Sequence, residues 1–285
     1  MLELVSNNEN YFMREGGMNI LLKKFAECRN FYSGSVFLVA SGASAGEFPV
    51  SHYADFPFIA MNGSILRFVD EKIHPLFYMC SDFRFPLKRP DVAALGCEHA
   101  QHVAMDLESF NEVHAYNKTV LMGKSLYLLD RVNKYYDRKN ISDRRFAWSI
   151  RKDPDLISDF SLLKKKPNRI GFSKDISRGY FCARTIVYIA LQLVYTLGFY
   201  NVFIVGMDLN KETGRFYEKS NDILSTAIDV DYYDYILPSF KIFSEKVLKK
   251  QNNFRVFNLS LNSRLPDSII PKITLNQLDQ LLSEN

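Results

Sequence analysis

Short, unbroken apolar runs punctuate the chain, each closed by small or polar residues. Val36-Phe37-Leu38-Val39-Ala40 enters Ser41-Gly42-Ala43-Ser44-Ala45-Gly46, and Phe58-Ile59-Ala60-Met61 enters Asn62-Gly63-Ser64. Residues 76–80 end at Ser81-Asp82, residues 125–129 at Asp130-Arg131, and residues 202–205 at Gly206-Met207-Asp208, and residues 255–259 form a last run. Runs of this length without polar alternation suit strands buried on both faces of a parallel sheet. Helical patterns lie between them, notably over 180–197 and 240–250. The alternation predicts an α/β fold, a Rossmann-like and mostly parallel sheet flanked by helices, in a single domain over 1–285. Residues 1–32 read as an N-terminal helical lead, with Ile20, Leu21, Leu22 and Phe25 on one face beside Lys23 and Lys24. The polar stretch over 210–235 lacks strong periodicity and follows a strand end, so residues 209–237 read as a lid over the carboxyl edge.

Residues 185–207 carry no formal charge and reach the length of a membrane-spanning helix. Gln192, Thr196, Gly198, Tyr200 and Asn201 interrupt them, and a buried helix, a Gly stop and a buried strand account for the same residues. Composition adds little. A hydrophobic share of 47% excludes disorder, and 36 Lys+Arg against 32 Asp+Glu give +4, too small an excess to predict nucleic-acid binding. The four cysteines (Cys28, Cys80, Cys97, Cys182) form no C-x-x-C pair, which fits a reducing compartment and argues against a disulfide framework or a zinc site. Residues 1–10 carry Glu3 and Glu9 without an apolar stretch, so a cytoplasmic location is expected rather than secretion.

Several motifs bear on chemistry. Gly42-Ala43-Ser44-Ala45-Gly46 fits the G-x-S-x-G elbow of α/β-hydrolases, but that triad needs a late His and all five histidines lie before residue 115. A tight turn whose backbone N–H groups and hydroxyls approach a phosphate or ribose is the better reading, against a plain strand-to-helix turn. Asn62 and Ser64, at the next strand end, would add an amide and a hydroxyl beside it. Asp229-Val230-Asp231 imitates the D-x-D motif that chelates a divalent metal, but only a weak apolar run precedes it, so no metal is expected. In Gly214-Arg215-Phe216-Tyr217, Arg215 can clamp a phosphate and Tyr217 can hydrogen-bond it, or the segment is a solvated loop. Lys164-Lys165-Lys166-Pro167-Asn168-Arg169, with Arg144-Arg145 and Arg151-Lys152, makes a basic block suited to anionic lipid headgroups, although most such runs are solvated faces.

Longer strings carry a resemblance. Residues 37–45, 56–65, 166–173, 214–218 and 231–240 resemble the RfaZ (WaaZ) family of lipopolysaccharide core biosynthesis, and the likeness extends over about 35–265. It implies a Kdo (3-deoxy-octulosonic acid) transferase that uses CMP-Kdo as donor without a cofactor, adding Kdo to a Kdo of the lipid A-linked inner core at the inner-leaflet membrane surface. A more distant likeness is to bacterial CMP-sialic-acid sialyltransferases, through Gly42 to Ser44, Asn62, Arg178-Gly179-Tyr180 at a helix start, Gly206-Met207-Asp208 and Tyr217. That likeness implies ribose or phosphate contacts from Ser44 and Asn62, a cytidine contact from Asp208 and a leaving-phosphate contact from Tyr217. Those enzymes use a His after the lid as base. Here Asp231 or Asp234 takes that place, with Asp82 as the alternative. A CMP-sugar-binding regulator without catalysis, a transferase for another keto-acid sugar and a hydrolase are the rival readings.

Overall fold

The computed structural model describes residues 1–7, 10–136, 139–210, 214–218 and 228–284. The chain opens with three short strands, β1 (Glu3–Ser6), β2 (Tyr11–Glu15) and β3 (Met18–Lys23), joined as antiparallel neighbours. Strands and helices then alternate: β4 (Ser35–Val39), β5 (Phe58–Met61), α1 (Ile65–Asp70), β6 (Phe77–Cys80), α2 (Arg84–Lys88), α3 (Pro90–His99), β7 (His102–Met105), α4 (Leu107–Tyr116) and β8 (Ser125–Leu128). An excursion follows, carrying α5 (Asp143–Ser149) and the antiparallel pair β9 (Leu156–Ser158) and β10 (Gly171–Ser173). The chain returns through α6 (Ile186–Leu197), β11 (Asn201–Val205), α7 (Ile228–Asp231), a π turn (Tyr232–Ile236), α8 (Leu237–Lys246), β12 (Arg255–Asn258) and α9 (Leu275–Ser283).

Ten strands form one sheet in the order β1-β2-β3-β8-β7-β6-β5-β4-β11-β12. Every neighbouring pair from β3 to β12 is parallel. Strand β4 shows why the apolar runs do not alternate with polar residues. Its five residues are all buried, with Val36 and Leu38 packing on the face that carries α6, and Phe37 and Val39 on the face that carries α3 and α4. β4 pairs on one side with β5, the next strand in the chain, and on the other with β11, which comes much later. The strand order reverses there, and such a reversal opens a crevice at the carboxyl ends.

The N-terminal reading is corrected. Glu3–Ser6, Tyr11–Glu15 and Met18–Lys23 are strands, not a helical lead, because Ile20 and Leu22 are buried while Leu21 is exposed, a period of two, and Gly16-Gly17 turns the hairpin. The uncharged stretch 185–207 divides as read, into α6, a left-handed Gly198 (φ +100°) and β11. No helix of the described residues is long and apolar enough to cross a membrane. Helix α6 starts at Ile186 rather than at residue 180. Within the segment read as a lid, residues 214–218 dock on the crevice and residues 228–237 are helical, because Tyr232, Ile236 and Phe240 are buried at intervals of four. Residues 211–213 and 219–227 of that segment lie outside the described residues.

Candidate active site

The first wall of the crevice is a clasp of small residues. The Ser44 backbone N–H donates to Asp208 Oδ2 at 3.0 Å, and the Ser44 hydroxyl donates to Asp208 Oδ1. Ser260, just past β12, shares a hydrogen bond with the Ser44 hydroxyl (2.8 Å) and accepts from the Met207 N–H (3.0 Å). Gly42 N–H donates to the Gly206 carbonyl at 3.0 Å. The loops after β4, β11 and β12 are thus locked together, and Asp208, with 7% of its surface exposed, already holds the Ser44 turn. The structure thus brings Gly42, Ser44 and Asp208 together.

The second wall carries unsatisfied polar atoms. Asn62 closes β5 with a positive φ of 51°. Its Oδ1 is buried and accepts no hydrogen bond from the described residues, and the buried Tyr217 hydroxyl makes no well-formed hydrogen bond, with the Ser41 side chain as a polar neighbour. Tyr217 is brought there by backbone contacts of its own segment, a bridge between Gly42 and Arg215 and a hydrogen bond from Phe216 N–H to the Ser41 carbonyl. Its ring lies against Gly63, where a Cβ would stand 2.0 Å from the ring edge, so the glycine is required by close approach. Burial pushes the Tyr217 hydroxyl up to about 12, partly offset by Arg215, so it stays a donor at neutral pH. Arg215 pairs with Glu218. Ser64 is fully buried, its hydroxyl donating to the Val39 carbonyl (2.7 Å) and accepting from Met61 N–H (2.8 Å), so it shapes the turn from within the core.

The other half of the carboxyl edge is rich in arginine. Asp82, after β6, is held by Arg84; burial pushes its carboxyl up, and the Arg84 hydrogen bonds outweigh this and leave it below its ordinary value. Arg84 also feels the charge of Asp231, which stands 3.9 Å from Arg184. Asp82 is thus the carboxylate bound to Arg84, and Asp231 the one facing Arg184. Asp234 is tied to Lys166, and Asp229 to Arg264 at 2.8 Å, so the two carboxylates of the D-x-D string go to different arginines. Among the described residues no group of three His, Cys, Asp or Glu side chains is placed to hold a metal ion. Gly179 does not open a helix. It follows a short 3-10 turn at φ +96°, and leads to Tyr180, whose backbone pairs with Asp130 and Val132.

Sequence reasoning missed Ser260, Arg84, Arg131, Arg184 and Arg264. Arg264 ties the two regions together, its N–H donating to the Asp208 carbonyl (2.9 Å) and its guanidinium stacking 4.0 Å above Tyr232. Isolated arginines carry no motif; the one usable signal was that Arg84 and Arg131 follow strand ends. A cavity of about 520 Å³ among Tyr195, Phe199, Gln251 and Phe254 lies at the opposite, amino edge, away from these groups.

A family model described as 3-deoxy-D-manno-octulosonic acid transferase WaaZ matches residues 21–276. A relative from Escherichia coli (strain K12), named probable 3-deoxy-manno-octulosonic acid transferase, is 25% identical over 252 residues, 87% of this chain and 86% of its own. A relative of the same name from Salmonella typhimurium (strain LT2) is 25% identical over 272 residues, 95% of either chain. Among solved structures, the MAf glycosyltransferase from Magnetospirillum magneticum AMB-1 is similar at a TM-score of 0.42 and 13% identity, over 88% of this chain but 36% of that one. With the family match spanning most of the sequence, the chain belongs to the WaaZ family of 3-deoxy-D-manno-octulosonic acid transferases.

Proposed function

We propose that this enzyme transfers Kdo from CMP-Kdo to a Kdo residue of the lipopolysaccharide inner core, with inversion at the anomeric carbon. The observation that carries the reading is the pair of buried polar atoms without a well-formed hydrogen bond, Asn62 Oδ1 and the Tyr217 hydroxyl, at the strand-order reversal. Buried polar groups without partners are costly, and a ligand is one way they are satisfied. In this reading CMP lies across the ends of β4 and β5. The Asn62 amide oxygen accepts from a ribose hydroxyl or the cytosine amino group, and Tyr217 donates to the phosphate. Asp208 keeps the Ser44 turn in shape beside the nucleotide.

The bond from the anomeric carbon to the CMP phosphate oxygen breaks, and that oxygen leaves with the electron pair. Tyr217 and Arg215 stabilise the charge as it develops. The acceptor hydroxyl attacks the opposite face and gives its proton to a carboxylate, for which Asp231 is placed better than Asp234, bound as the latter is to Lys166. The single phosphate of CMP lets these side chains meet the leaving charge without a metal ion.

The acceptor is lipid-linked, and the surface around α5 suits an anionic membrane face. Leu162 and Leu163 are 67% and 93% exposed, next to Lys164, Lys165 and Lys166. Trp148 is half exposed, packs on Phe160 and carries Arg151 stacked 3.8 Å from its ring. Apolar tips ringed by cations bind headgroup regions through burial and charge together.

The test is to incubate the purified chain with CMP-Kdo and Kdo-bearing lipid A and to read product masses, with and without EDTA. One added Kdo, with CMP released in both samples, is expected. Absence of CMP binding overturns the reading, CMP binding without transfer favours a regulator, and loss of activity in EDTA returns the case to a metal-dependent transferase.

A further inference from the structure

A second cavity, of about 80 Å³, opens at the carboxyl side of β8, between the residues that follow that strand, α5 and the segment entering α6. Its lining includes Arg131, Lys134, Arg169 and Arg184 against a single carboxylate, Asp143. Asp143 is already bound to Arg169 at 2.6 Å. Arg131 is only partly exposed; its Nε donates to the Tyr180 hydroxyl at 3.2 Å, and no carboxylate of the described residues lies within 4 Å of it. Among the described residues, the one carboxylate within 4 Å of Arg184 is Asp231, at 3.9 Å, while its guanidinium also lies over the Tyr235 ring. Positive charge therefore exceeds negative in a site whose walls are partly buried, and a planar guanidinium without a carboxylate is matched by a bidentate anion.

Position adds a second argument. Helix α5 supplies Asp143 and Phe146 to the cavity and also bears Trp148; the turn Lys166–Arg169 supplies Asn168 and Arg169 and continues the exposed Leu162 to Lys165 stretch. The cavity thus shares its walls with the surface assigned above to the membrane. It also borders Asp231 through Arg184, on the side of the crevice away from the clasp of Ser44 and Asp208.

We propose that this cavity is an acceptor subsite, in which Arg131 and Arg184 hold an anionic group of the glycolipid, a sugar carboxylate or a phosphate, and so set the attacking hydroxyl toward Asp231. The inference deepens the transferase reading and rests on it for the word acceptor. Anion binding itself does not.

Calorimetric titration of the full chain separates the two. The probes are free Kdo for the carboxylate, glucosamine 1-phosphate for the phosphate, and CMP as the donor-side control. Wild type binds at least one of the first two, and Arg131→Gln and Arg184→Gln each weaken that binding at least tenfold while CMP binding stays within twofold. The probe that responds identifies the source of the charge. Arg184 is half exposed, so its variant remains informative if Arg131→Gln fails to fold. Equal binding by wild type and Arg184→Gln, no binding of either sugar, or displacement of the sugar by CMP overturns the proposal. If wild type binds a sugar anion but no CMP, the transferase reading fails and the anion site stands.

Discussion

The two halves of the carboxyl edge solve opposite problems. Around Ser44, Asp208 and Ser260, donors and acceptors are matched within the protein, and three loops are fastened into one rigid surface. Around Arg131 and Arg184, among the described residues, cationic side chains outnumber the carboxylates that line the same cavity. The difference teaches where shape is made and where charge is left for something else. A nucleotide, alike in every turnover, suits a preformed cradle, while a large anionic glycolipid suits cations that a small rearrangement can aim.

Four substitutions break or sharpen that contrast. Gly63→Ala has the largest expected effect: the added methyl displaces the Tyr217 ring from the nucleotide side, and steady-state assays should show kcat/KM for CMP-Kdo reduced on the order of 100-fold. A change under threefold breaks the assignment of Tyr217. Tyr217→Phe keeps the ring and removes only the hydroxyl, so kcat should fall roughly 10-fold or more, a larger loss than that of CMP affinity, which places most of its contribution in the transition state. Ser44→Ala tests the self-matched half. It leaves Asp208 and Ser260 short of a partner and should lower unfolding free energy in urea by about 1–3 kcal/mol.

The smallest expected effect comes from Asp153, which receives two hydrogen bonds from Arg178 (2.8 and 2.6 Å) just before Gly179. Arg178 holds its carboxyl down at about 2, below the ordinary value near 4. A lowered folded value means that this contribution to stability is full above pH 4 and is lost as pH falls through about 2. Asp153→Asn should therefore flatten the stability profile between pH 4 and pH 2, as read by thermal melts across that window. An unchanged acid limb denies the pair a role in holding the arginine half.

How much was legible follows from the same contrast. The parallel strands were readable because burial on both faces removes polar residues from the run, as in Val36 to Ala40. The N-terminal hairpin was not, because adjacent Ile20, Leu21 and Leu22 hide a period of two in which Leu21 simply faces solvent. Strand β7 was missed since His102 opens it with only Val103, Ala104 and Met105 behind. In the site, small-residue turns mark themselves locally, so Gly42, Ser44 and Asn62 stood out. The arginine cavity draws on residues 131, 169 and 184, which are distant in the chain and whose common location depends on the excursion between β8 and α6. For the D-x-D string, spacing alone does not say that Arg264 and Arg184 draw its carboxylates apart.

Gln192, which had seemed merely to interrupt an apolar helix, has a wider meaning. Fully buried, it accepts from the N–H groups of Ser173 and Phe181 and donates to the carbonyls of Phe181 and Tyr188. One amide thus rivets the excursion to a helix of the main sheet, while its outer turn, with Leu162 and Leu163, faces solvent. A fastening of this kind makes the region interchangeable: its outer loops can be rewritten while the strands and the clasp of Ser44, Asp208 and Ser260 remain as they are.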